Sequence, residues 1–115
     1  MTIPMTNQTE VSRARHEVVL VAQRVLSGSC GIVEGARQLS GLAHRLAAEN
    51  DPDFTFFIGV DSETDHLPIG DVRQRWAADA LRKKDEELIS LEGFFRADAL
   101  CACRNLILKF EAPIA

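Results

Sequence analysis

The sequence has no apolar run long enough to cross a membrane, no excess of positive charge, no paired set of cysteines and no familiar catalytic motif. Its uninterrupted apolar stretches, such as Val18 to Ala22 and Leu100 to Cys103, fall far short of the roughly 18 residues a spanning helix needs. Thirteen Lys and Arg against 17 Asp and Glu leave a formal charge of −4. That argues against nucleic acid as the main partner, because such binding draws its affinity from cations that neutralise phosphates. Three cysteines, Cys30, Cys101 and Cys103, are an odd number with two of them adjacent in register, so we expect reduced thiols and no disulfide framework. The first ten residues are polar and contain Pro4, unlike an export signal. We therefore expect a cytoplasmic protein.

What is present is a chain of 115 residues, 46% of them hydrophobic. That is enough for one domain with its own core, and too short for two. Val11, Ala14, Val18, Val21 or Ala22, and Val25 recur at three- and four-residue steps, which predicts an amphipathic helix over about 9–27, capped by Thr9 or Ser12 and ended at Gly28. Ile32, Ala36, Leu39, Ala43 and Leu46 predict a second helix over 32–49, folded back by a short linker. Gly35 and Gly41 inside it suggest close helix packing. Trp76, Ala80, Leu81, Leu88, Leu91, Phe95, Ala99, Ala102, Leu106 and Phe110 predict a third helix over 77–110, continuous through Gly93 because no proline or turn cluster accompanies that glycine. The fold class is all-α, a small antiparallel bundle.

Between the second and third helices, residues 50–76 read as a long loop. Asn50-Asp51-Pro52-Asp53 looks like a stop signal, and the apolar run Phe54 to Val60 is too short for its period to decide between helix and strand, although one turn tucked into the core would suit Phe54, Phe57 and Ile58. A loop of this length in a compact domain is often functional. It also holds the charge. Residues 1–50 sum to +1 and residues 71–115 to zero, whereas Asp51, Asp53, Asp61, Glu63 and Asp65 give residues 51–70 a charge of −5 with no Lys or Arg.

Three roles suit these acids. Asp61, Glu63, Asp65 and His66 have the chemistry of metal ligands, but the spacing is not that of an EF-hand. Alternatively, the carboxylates cap backbone amides and pair with Arg37, Arg73 or Arg75, so that Arg37, Arg73 and Trp76 anchor the loop to the helices. The third role is an exposed acidic surface for a basic protein, in which Asp53, Asp61, Glu63, Asp65 and His66 make the contacts. Carboxylates paired as general acid and base require a pocket that the sequence does not reveal. Cys101 and Cys103 sit in an apolar helical run with no histidine nearby to activate a thiol, and His16 and His44 lie on helices among charged neighbours.

The strings Gly35-Ala36-Arg37-Gln38-Leu39 and Phe57-Ile58-Gly59-Val60-Asp61-Ser62-Glu63-Thr64-Asp65-His66-Leu67-Pro68, followed by Gly70, Arg73 and Trp76, resemble a group of small, mostly helical bacterial proteins over about residues 12–108. Some of that group resemble the immunity proteins that accompany secreted polymorphic toxins. The resemblance implies a non-enzymatic cytoplasmic protein, without cofactor or metal, that binds a cognate toxin or effector domain and occludes its active site. An acidic segment suits a toxin whose cleft is basic. Pairing of a helix stripe with a second copy, giving a homodimer, is a further expectation.

Overall fold

A computed structural model describes the chain over residues 3–111, with side chains from residue 8 onward. Four α-helices and one 3-10 turn follow one another: α1 (Ile3–Ser27), α2 (Ile32–Arg45), α3 (Pro52–Glu63), a 3-10 turn (Gly70–Arg75) and α4 (Ala78–Glu111). The described residues contain no strand. The fold is a small all-α bundle in which α1 packs on α2 and α4, and α3 packs on the same two helices.

α1 begins at Ile3, upstream of the expected start near residue 9. Pro4 is no obstacle there, since amides in a first turn have no intrahelical acceptor to lose. Thr9 and Ser12 consequently lie inside the helix. The helix ends as expected: Gly28 adopts φ +83°, and the Cys30 amide reaches back to the Arg24 carbonyl at 3.1 Å. Gly35 serves close approach, because a Cβ there would collide with Val25 of α1. Gly41 does not, having open space around it. α2 stops at Arg45, four residues before the expected Glu49. Ala47 takes a left-handed φ of 51°, and the Ala48 amide donates to the Ala43 carbonyl at 2.9 Å, which closes the helix in the manner glycine normally provides.

The largest departure is at residues 50–76, which are not one long loop. Asp51 is an N-cap whose carboxylate accepts from the amides of Asp53 and Phe54, and Pro52 occupies the first turn. The tetrapeptide that looked like a stop is therefore also a start. α3 then buries Phe54, Phe57 and Val60 on one face. The Phe54 ring meets Phe110 of α4 edge-on at 5.4 Å, and Phe56 meets Phe95 at 6.1 Å. Each fully buried phenylalanine contributes about 2–3 kcal/mol of transfer free energy, which compensates for the weak helix propensity of a segment rich in aromatic and β-branched residues.

α4 runs unbroken through Gly93. Its 34 residues correspond to about 51 Å, the long dimension of a molecule measuring 53 × 31 × 23 Å. Its two halves differ. From Phe95 onward it contributes Phe95, Ala99, Ala102, Cys103 and Leu106 to the core, while no residue from 78 to 94 is fully buried. Glu92 links the halves to α2: its carboxylate accepts from the Val33 amide at 2.9 Å, supplying the cap that Gly31, at the N-cap, has no side chain to give. A Cβ on residue 31 would stand 3.0 Å from that carboxylate. No helix among the described residues is long and apolar enough to cross a membrane.

Candidate functional site

The acidic segment is held at three points, and its charges divide into those engaged by the protein and those left to solvent. At the start of α3, Lys109 Nζ of α4 lies 2.9 Å from Asp51 Oδ2 and 2.6 Å from Asp53 Oδ2, and Asn105 donates to Asp53 Oδ1 at 3.1 Å. Partial burial raises the Asp51 carboxyl, but the Lys109 bond and the amides of Asp53 and Phe54 outweigh it, so the group sits below its ordinary value. Hydrogen bonds to Asp53 and Asp51 hold the Lys109 ammonium above its own.

At the other end of α3, Arg37 of α2 donates to the carbonyl oxygens of Thr64 at 2.6 Å and Leu67 at 2.7 Å. A cation there satisfies carbonyls that the helix leaves open and complements its negative end. Its Nε is 3.7 Å from Asp61. Thr64 is completely buried and donates its hydroxyl to the Val60 carbonyl at 2.7 Å. Leu67, also buried, fixes the turn that follows.

The third point lies along α4. Arg73 forms a bidentate pair with Asp85, at 2.7 and 2.8 Å, and also donates to the Pro68 carbonyl at 3.2 Å. The hydrogen bond from Arg73 lowers the Asp85 pKa, and the same bond raises that of the guanidinium. His66 Nε2 is 2.6 Å from Glu87 Oε2. Trp76, half-buried, closes the 3-10 turn through its amide, which donates to the Arg73 carbonyl at 3.1 Å. Among the described residues the cation–π contact is made elsewhere, by Arg15 over Phe110.

The acids that looked alike in sequence are thus in different situations. Asp53 is turned to Lys109, Asp61 toward Arg37 and His66 toward Glu87. Glu63 and Asp65 are exposed and have no ion-pair or hydrogen-bond partner among the described residues. Arg73 answers Asp85 and not an acid of the segment. Five partners escaped sequence reasoning: Lys109, Asn105, Asp85, Glu87 and Glu92. For Lys109 a signal was available, since it is the single cation in the apolar run Leu106 to Phe110.

The chemistry of the arrangement is that of a surface. Asp61, Glu63, Asp65 and His66 do not converge: no group of three or more His, Cys, Asp and Glu among the described residues could hold a metal ion. Burial pushes the Cys30 thiol up to about 11 and the Cys103 thiol up to about 12, so both are protonated at neutral pH and poor nucleophiles. Cys101 is exposed. His44 is mostly exposed and lies 3.0 Å from Glu49.

No curated protein matches the chain, and no solved structure does. Residues 5–106 match the family described as "Protein of unknown function (DUF2489)". The match spans nearly the whole bundle, from α1 to the last turns of α4, and the chain belongs to this family.

Proposed function

We propose that the protein is an immunity-type inhibitor, which binds a cognate bacterial toxin domain and neutralises it by covering its active site. The observation that carries this reading is the pair Glu63 and Asp65, exposed and unpartnered at the end of α3. The last turn of α3 contains no base, and a carboxylate at the negative end of a helix costs a few tenths of a kcal/mol or more. Among the described residues no cation pairs with either carboxylate to offset that cost. A basic partner does, and a loop pinned by Arg37 and Arg73 presents the charges with little ordering entropy left to lose on binding. Charge complementarity of this kind speeds encounter and fixes orientation.

Glu63 and Asp65 are the principal contacts in this reading. Asp61 and His66 lie at the edge, already engaged by Arg37 and Glu87, and Asp53 belongs to the Lys109 clamp. The reading predicts a neighbouring gene that encodes a toxin-like domain, and the test is co-expression with that domain, with survival and toxin activity as readouts. Stoichiometric protection, weakened by E63Q/D65N most strongly below about 0.15 M salt, is the expected result. Absence of protection overturns the proposal.

A further inference from the structure

α4 shows solvent a stripe of side chains that no other part of the described chain covers. Phe94 is 78% exposed and Leu108 73%, and Ala97, Asp98, Cys101, Arg104 and Asn105 between them are exposed as well. At about 100° per residue, Phe94, Cys101 and Leu108 stand close to one line along the helix, with Ala97 and Arg104 on one flank and Asp98 and Asn105 on the other. The opposite face of the same turns is core, so the stripe is fixed in orientation.

The stripe complements itself when reversed. With Cys101 on a two-fold axis and a second copy of α4 running antiparallel, Phe94 lies level with Leu108 of the second copy, and Asp98 lies level with its Arg104. Each match occurs twice by symmetry. Asp98 and Arg104 have no ion-pair or hydrogen-bond partner among the described residues. Ala97 and Cys101 at the centre are small enough to let the helix axes approach to about 8 Å, within reach of a long arginine across the seam. A parallel pairing in register would instead bring Asp98 to Asp98 and Arg104 to Arg104, a like-charge arrangement that disfavours it.

We infer that α4 pairs antiparallel with α4 of a second copy through residues 94–108, making the protein a homodimer. The contact is about 21 Å long, short of a standard-size interface and within the size range of weak or transient ones.

Sedimentation velocity on the full chain, from about 1 to about 300 µM, tests the inference. The wild type is expected to pass from monomer to dimer. Asp98→Arg and Arg104→Asp each set like charges face to face and should weaken the dimer at least about tenfold. The double variant D98R/R104D restores opposite charges at both places and should recover it. Both substitutions are at exposed positions, and circular dichroism checks that the helices persist. A short bismaleimide should join two chains at low micromolar concentration through Cys101, and Cys101→Ser should abolish the product, since Cys30 and Cys103 are buried. A wild type that stays monomeric throughout, a dimer indifferent to the single reversals, or a double variant that fails to recover overturns the inference.

Discussion

At the N-terminal end of α3, Asp51 accepts from two amides of the first turn, and Asp51 and Asp53 share one lysine of α4. At the C-terminal end, Glu63 and Asp65 pair with no cation among the described residues, while Arg37 is taken up by the Thr64 and Leu67 carbonyls. The side chains have the same chemistry, but the helix gives them opposite settings: negative charge is stabilised at its start and destabilised at its finish. The first pair is accounted for by folding alone. The second is not, and the difference shows why a segment charge of −5 cannot be assigned one role. Part of it caps and clamps the helix, and part has no cation paired with it among the described residues.

The comparison breaks most readily at Arg37. Arg37→Ala removes two short charge-assisted hydrogen bonds, leaving the Thr64 carbonyl with the Leu67 amide alone and taking the guanidinium from the Leu67 carbonyl, a loss of about 2–3 kcal/mol. Urea unfolding measures it, and a loss below about 0.5 kcal/mol would show that this end of α3 does not depend on the cation. Asp51→Ala deletes the N-cap and one side of the Lys109 clamp, at a cost of about 1–2 kcal/mol. Glu92→Ala leaves the start of α2 uncapped and should cost about 1 kcal/mol, which thermal unfolding can resolve.

The N-terminal clamp also has a pH signature. The folded Asp51 carboxyl lies below its ordinary 3.8, so on acidification the unfolded chain takes up a proton first. Its contribution to stability is complete above that range and is lost as pH falls through the lowered value. Lys109 lies above its ordinary 10.5, so its contribution holds at neutral pH and is lost as pH rises through the raised value. Unfolding midpoints of wild type and Asp51→Asn should therefore converge in acid and separate toward neutrality. Parallel curves would contradict the clamp.

The smallest expected effect on stability sharpens the comparison most. E63Q/D65N removes two charges from the unfavourable end of α3 and should leave stability within about 0.5 kcal/mol of wild type, or raise it slightly. A marked fall in midpoint would mean that these acids also serve the fold.

Much of the bundle was legible in the sequence, and the reasons are local. The stripes of α1, α2 and α4 carry a helical period, and Gly28 carries its φ in its identity. α3 was not legible because Phe54 to Val60 is apolar on every side, so it has no period to read, and because Asp51-Pro52 ends one element and begins another. The early end of α2 depends on Ala47 in a conformation that alanine does not advertise. At the candidate site, the sequence singled out the acids and, as expected anchors, Arg37, Arg73 and Trp76. It did not show which acid meets which cation, because those partners lie 52 to 58 residues away for Asp51 and Asp53 and are brought together only by packing.

The most direct test of the division is the association rate of the toxin domain proposed as partner with two charge-neutral variants, D51N/D53N and E63Q/D65N, measured side by side across a range of salt. The account predicts that D51N/D53N associates like wild type despite its lower stability, whereas E63Q/D65N associates about tenfold more slowly at low salt and converges with wild type as salt is raised. Equal rates for E63Q/D65N and wild type would contradict it.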